Sequence, residues 1–133
     1  MTDAQQVITY WIEKAYQDLA SARDNFAGKR FQNAVSDAYF ACFHAFGAVL
    51  FQEGKTFRKH REVRAALHRD YIRTGKIDVL WGKHYDWLFE NRQKADYSPL
   101  VSFDQDRVYE IIKQSSEFVK KMGQLVSAET TIL

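Results

Sequence analysis

The stretch AYFACFHAFGAVLF, from Ala38 to Phe51, decides the fold of this chain. Only two of its fourteen residues, His44 and Gly47, are not apolar. A helix that is apolar on every side is either surrounded by other helices or embedded in a membrane. The stretch is shorter than the roughly 20 apolar residues that a bilayer crossing needs. We therefore predict the central helix of a bundle outside the membrane.

Two faces of this predicted helix differ in side-chain size. One carries small side chains at spacings of four, three, four and three, namely Ala34, Ala38, Ala41, Ala45 and Ala48. The adjoining face carries the large side chains of Tyr39, Phe43, Phe46 and Leu50. Small residues let a neighbouring helix approach closely, and aromatic rings fill wider gaps. The pattern predicts helices packed around this one at different distances.

Length and composition favour one cytoplasmic domain. The chain has 133 residues, of which 46% are hydrophobic and 15% aromatic, enough for one domain over residues 1–133 with a real core. A single cysteine excludes an internal disulfide framework. No basic and apolar leader precedes the first helix, so we expect a cytoplasmic protein.

Apolar periodicity predicts five helices, and nothing in the sequence predicts a strand or a repeat. Thr2 and Gln5 predict a capping box for the first helix, and Ser102 and Gln105 predict one for the fifth. Leu80 and Trp81 are predicted to face inward on the fourth. The expected bounds are about Ala4–Ala27, Arg30–Glu53, Lys59–Arg73 and Asp78–Ala95, with a last helix reaching about Leu125. The fold class is all-α, an up-and-down bundle of four to five helices, with residues 127–133 expected to fray.

Charge is concentrated in one segment. Residues 55–76, the basic segment, carry eight cations and two anions, whereas the parts before and after it each have a net charge of −2. The segment is either a solvated charged face or a surface for a phosphate backbone or an acidic partner. Phe57 and Tyr71 are its only aromatic residues, which is weak support for stacking of single-stranded RNA.

The sequence predicts no metal site and no cofactor. The four histidines, His44, His60, His68 and His84, form neither an HxxxH nor an HExxH pair. Cys42 and His44 are two residues apart and point roughly 200° away from each other on a helix, so they are not a nucleophile and its base. Cys42 is predicted to be a small core residue.

Two places could carry chemistry. His44, the only side chain of the apolar stretch that ordinarily titrates near neutral pH, is either a histidine at the edge of the core with one hydrogen-bond partner or a histidine that faces a cleft beside the fourth helix. In residues 91–97, NRQKADY, Arg92 and Asp96 are helical neighbours and could be an ordinary surface pair. Tyr97 could close the end of the helix.

Several short segments resemble the small stand-alone HEPN-domain proteins of bacteria and archaea. They are WIEKAYQDLASA (11–22), NAVSDAYFACFHA (33–45), KH (59–60), RTGKID (73–78) and NRQKADY (91–97). The resemblance covers roughly residues 8–122. It implies a bundle of four to five helices that is usually a homodimer. It also implies frequent pairing with a minimal nucleotidyltransferase in toxin–antitoxin or related complexes.

Many HEPN proteins are metal-independent ribonucleases in which four to six residues separate an arginine from the histidine that follows it. Arg92 takes the arginine's place, but the positions for the histidine hold Tyr97, Ser98 and Pro99. The resemblance therefore implies a binding module that lacks this ribonuclease motif. Its ligand would be a nucleotide, RNA or partner protein, bound by Asn91, Arg92, Asp96, Tyr97, His44, Lys59 and His60.

In this hypothesis Arg92 grips an anion, Asp96 orients Arg92, and Tyr97 stacks or forms a hydrogen bond. The alternative is an endoribonuclease that combines Arg92 with a non-standard base, His44 or Tyr97. Tyrosine has a reference pKa near ~10 and is a poor base at neutral pH. In some systems of this family a tyrosine near the motif is nucleotidylated by the partner enzyme, which makes Tyr97 a candidate acceptor.

Overall fold

A computed structural model of the chain describes the backbone of residues 2–132 and the side chains of residues 2–126. Within these limits the protein is helical and contains no strand, so the predicted all-α bundle is confirmed. The expected fraying of residues 127–133 falls outside the described side chains. The helices are α1 (Asp3–Ala27), α2 (Phe31–Gln52), α3 (His60–Ala66), α4 (Val79–Tyr97) and α5 (Gln105–Ile132).

The helix ends follow the capping chemistry of the sequence. The Thr2 hydroxyl accepts a hydrogen bond from the Gln5 amide at 3.1 Å, and the Gln5 side chain accepts one from the Thr2 amide at 2.8 Å, so the predicted box is present. Asp78 caps α4 by accepting from the Leu80 amide. Ser98 ends that helix immediately before Pro99, where the α conformation is disfavoured.

Two predictions at helix starts were wrong. Asp104, and not Ser102, caps α5, because its carboxylate accepts from the Arg107 amide at 3.1 Å and it directly precedes the first helical residue. Leu80 is 70% exposed and does not face the core. It lies in the first turn of α4, and the apolar residue buried there is Ile77, just before the helix.

The predicted third helix is not regular throughout. α3 ends at Ala66, and Leu67–Ile72 continue as a wider π-helical turn. This turn lies against α4 at Gly82, where a Cβ atom would be 2.9 Å from Cε1 of His68. The missing side chain of Gly82 therefore gives the π-helical turn room to approach α4.

The core is organised around α2, as the apolar stretch predicted. α2 packs against α1, α4 and α5. All five alanines of the small face are fully buried, and so is Cys42. By length and composition α2 could also cross a membrane. Its burial among the other helices accounts for the same apolar composition.

The fully buried alanine stripe leads to a stability prediction. Replacing Ala45 by leucine should lower the free energy of unfolding by about 1–3 kcal/mol, because a close-packed site has no volume for the larger side chain. Leucine at Ala20, which is exposed on α1, should change it by less than about 0.5 kcal/mol. Urea unfolding of both variants measures the difference. Equal stability of the two variants would contradict tight packing along the stripe.

Candidate functional site

Polar side chains converge where α2 is not fully covered. Phe40, Phe43 and His44 are half-buried on this side of α2. Side chains from α1, α3 and α4 reach the same place. We call this region the Phe40 surface and define it by Asp18, Tyr39, Phe40, His44, His60, Arg92 and Asp96.

Arg92 packs over aromatic rings of α2. Its guanidinium carbon is 5.1 Å from the ring centre of Tyr39 and 5.2 Å from that of Phe40. Its Nε atom is 3.6 Å from a carboxylate oxygen of Asp96, one helical turn further on. Only 17% of the side chain is exposed. The cation is therefore held at a fixed depth by the rings and by one carboxylate.

His44 forms the second polar pair, and it faces α1. Its Nδ1 atom is 2.6 Å from Oδ2 of Asp18, and its ring stacks on Trp11 with centres 5.2 Å apart. The cleft beside the fourth helix that the sequence suggested for His44 is not where the structure places it. A carboxylate at Nδ1 fixes the orientation and tautomer of a neutral imidazole, so that Nε2 is a proton acceptor.

His60 forms the third pair, with Tyr39. Its Nδ1 atom is 2.8 Å from the Tyr39 hydroxyl, and its ring stacks on Phe43 with centres 4.3 Å apart. Burial lowers the pKa of His60, and the positive charge of Arg92 acts in the same direction, as does His44 whenever it is protonated. Burial raises the pKa of Tyr39, so its hydroxyl keeps its proton. At neutral pH the pair is therefore a phenol beside an uncharged imidazole.

Carboxylates collect on the α1 side of this surface. Asp37 accepts a hydrogen bond from Asn25 at 2.7 Å. Burial raises the pKa of Asp37, the Asn25 hydrogen bond lowers it, and the nearby charges of Asp18 and Asp96 raise it further. The side of the Phe40 surface towards Asp37 is therefore unfavourable for an anion.

The basic segment divides into paired and exposed cations. Lys55 lies 3.4 Å from Glu53, Arg64 lies 3.9 Å from Asp86, and Arg69 lies 2.9 Å from Asp70. The residues on either side of His60 differ from these. Arg58, Lys59 and Arg61 are exposed, and none of them belongs to an ion pair within the described residues.

The structure gathers only part of the predicted site. Arg92, His44 and His60 meet around Phe40. Asp96 pairs with Arg92, and Lys59 directly precedes His60 in the chain. Asn91 donates its side-chain amide to the Trp87 carbonyl at 2.8 Å, so it serves its own helix. Tyr97 is 78% exposed at the last position of α4 and does not close the helix end.

Sequence reasoning missed the partners that hold the site residues, Asp18 and Tyr39. One signal was available for Asp18. It follows Trp11 by seven residues on α1, so both lie on one helix face, and both contact His44.

Nucleophile and metal chemistry find no support among the described residues. Burial raises the pKa of the Cys42 thiol to about 12, so this cysteine is a core residue, as predicted. Residues 2–126 bring together no group of three His, Cys, Asp or Glu side chains that could hold a metal ion.

The sequence is similar to a known protein family and to several known proteins. The HEPN domain family matches residues 8–125. A "UPF0332 protein" of Thermotoga maritima is 32% identical over 95% of this chain and 96% of its own length. "Putative toxin MJ0605" of Methanocaldococcus jannaschii is 30% identical over 72% of each chain. "Putative toxin MJ0142" of the same organism is 26% identical over 90% of this chain and 76% of its own.

The charge of Arg92 should be visible in the titration of His60. Burial and the charge of Arg92 are the two largest causes of the lowered pKa of His60, so replacing Arg92 by glutamine should let that pKa rise part of the way towards its ordinary value. Two-dimensional NMR of the imidazole protons over pH 4–9 measures the change. Arg23→Gln changes the net charge equally but lies between α1 and α5, and should leave the His60 pKa in place. An unchanged pKa of His60 in the Arg92→Gln variant would contradict the placement of Arg92 near His60.

Proposed function

This chain belongs to the HEPN domain family, and we propose that it is the HEPN module of a toxin-like system that binds the phosphate of RNA or a nucleotide at the Phe40 surface. Two relatives carry the word toxin in their names, which supports the toxin-like role. The observation that carries the proposal is the placement of Arg92. It is a half-buried cation that is held against two aromatic rings and has one carboxylate partner at 3.6 Å.

The binding chemistry follows from that placement. Guanidinium groups match phosphate oxygens and bind them through charge-assisted hydrogen bonds. The Arg92–Asp96 distance of 3.6 Å is longer than a good hydrogen bond, so a phosphate can compete for the guanidinium. Asp96 then orients Arg92 and does not neutralise it completely.

Charge decides from which side a phosphate arrives. The carboxylates of Asp18 on α1 and Asp37 on α2 oppose an anion on the α1 side. On the α3 side lie His60 and the exposed cations Lys59 and Arg61. We therefore place the phosphate between Arg92 and the start of α3, with further phosphates of an RNA chain along residues 58–61. This assigns Lys59 the role of extending the positive field, whereas His60, whose lowered pKa leaves it uncharged at neutral pH, adds no charge to it.

A metal-independent ribonuclease is the second candidate, because two histidines share the surface with Arg92. In this reaction the RNA 2′-hydroxyl gives its proton to a base and attacks the phosphorus. The bond to the 5′-oxygen then breaks, that oxygen takes up a proton, and a 2′,3′-cyclic phosphate forms. Asp18 orients His44 as a base would be oriented, whereas exposed Tyr97 has no such partner within the described residues.

RNA binding should depend on Arg92. Loss of a charge-assisted hydrogen bond costs about 1.5–3 kcal/mol, so Arg92→Ala should weaken the binding of a fluorescein-labelled RNA hexamer by about 10- to 100-fold. Fluorescence anisotropy at fixed salt measures this. Arg107→Ala is the matched control, because Arg107 also lies on an aromatic ring, Trp87, at 5.0 Å but on another face. Equal affinity of wild type and Arg92→Ala for the RNA hexamer would contradict the proposed phosphate site.

The same RNA separates the binding module from the ribonuclease. Incubation with EDTA followed by denaturing electrophoresis should leave the RNA intact. Cleavage that persists in EDTA and is lost in both Arg92→Ala and His44→Ala would establish the second candidate in place of the first.

We also propose a homodimer that works with a minimal nucleotidyltransferase. This partnership comes from the family resemblance, and the high exposure of Tyr97 fits a side chain that another enzyme modifies. After co-expression with a nucleotidyltransferase encoded beside it, the protein should gain the mass of one nucleotidyl group on Tyr97. Intact-mass and peptide mass spectrometry check this, with Tyr97→Phe as the control. An unmodified Tyr97 would count against the modification.

A further inference from the structure

An aromatic groove adjoins the Phe40 surface. It has a volume of about 400 Å³ and lies between α1, α2 and the chain that leads into α3. Four aromatic side chains line it, together with a histidine, two aliphatic side chains, a lysine, a threonine and the glycine of the apolar stretch. The aromatic side chains are Trp11, Phe43, Phe51 and Phe57. Phe57 comes from the basic segment, and the other three come from helices.

The groove shares residues with the phosphate site. Phe43 and His44 line the groove, and Phe43 also stacks on His60 at 4.3 Å. Phe40 connects the two regions, since its ring centre is 5.2 Å from the Arg92 guanidinium carbon and 5.9 Å from the His44 ring centre. The guanidinium and the groove therefore lie within the reach of a short stretch of single-stranded RNA.

We infer that the groove is a nucleobase subsite, in which a base of a nucleotide or of single-stranded RNA stacks while its phosphate chain follows Arg92 and residues 58–61. The inference rests on the proposed phosphate site and adds to it the recognition of the base. Aromatic side chains stack on bases of any sequence, so the subsite should favour nucleotides over sugar phosphates without strong sequence preference.

Charge at the rim favours this occupant over an uncharged apolar one. The exposed cations Arg58, Lys59 and Arg61 follow Phe57 within four residues of the chain. Lys55 also lines the groove, and it is paired with Glu53. A base is flat and apolar on its faces and is attached to an anionic backbone. That combination matches aromatic walls beside a row of cations.

Gly47 offers a way to fill the groove without disturbing the core. It lines the groove on α2, and a Cβ atom built on it would have no neighbouring heavy atom within 4 Å. Leucine at this position should occupy the groove, and it is also a better helix former than glycine. Gly123 on α5 has equally open surroundings but does not line the groove, which makes Gly123→Leu the matched control.

Competition binding tests the subsite. A fluorescein-labelled hexamer of adenylate is displaced by AMP or by ribose 5-phosphate, which differ only in the base. In wild type and Gly123→Leu, AMP should displace the hexamer at about tenfold lower concentration, the range expected for one stacked base. In Gly47→Leu the two competitors should become equal. Circular dichroism checks folding, and Phe57→Ala, a change in a loop, should reduce the preference for AMP independently.

The outcomes distinguish failure of the nucleobase subsite from failure of the phosphate site on which it depends. Equal competition by AMP and ribose 5-phosphate in wild type, or an undiminished AMP preference in Gly47→Leu and Phe57→Ala, would overturn the nucleobase subsite alone. Hexamer binding that does not change in Arg92→Ala would overturn the phosphate site, and the nucleobase subsite with it.

Discussion

The burial of α2 is the constraint on which the rest of this structure depends. A helix that is apolar on all sides must be covered by other helices, and its fully buried alanines bring those helices close. One consequence concerns chemistry. α2 supplies mainly rings and a single histidine to the Phe40 surface, so the other polar groups of that surface come from the helices around it. Asp18 comes from α1, His60 from α3, and Arg92 from α4.

The polar pairs at this surface explain how charges can lie half-buried there. An ionised side chain that loses water without gaining a partner is costly. Arg92 has Asp96 and two ring faces, His44 has Asp18, and His60 becomes uncharged beside Tyr39. Each group is thus compensated locally before any ligand arrives. A ligand phosphate must compete with Asp96, which predicts modest affinity that falls as salt concentration rises.

The helices could be predicted from the sequence, whereas the contacts between them could not. Apolar periodicity and the Thr2 capping box are local signals, and they predicted the number of helices and most of their bounds. Which carboxylate reaches His44 depends on how α1 is rotated and shifted along α2, and no local pattern states that. The π-helical turn Leu67–Ile72 was not predicted, for a similar reason: it lies against α4, and that contact is not visible in the local sequence. Between two acceptable caps for α5, propensity did not choose Asp104 over Ser102.

The contact of Gly82 with the π-helical turn has a consequence for protein engineering. Replacing helical glycines by alanine is a common route to higher thermostability, because alanine gains about 1 kcal/mol in helix propensity. At position 82 the new methyl group would meet the ring of His68, which Asp86 holds through a 2.8 Å contact. The gain in helix propensity would be offset, because the methyl group would displace the His68 imidazole and loosen the packing of the π-helical turn against α4. This glycine is a spacer, and consensus design that treats it as a defect would remove the clearance it provides.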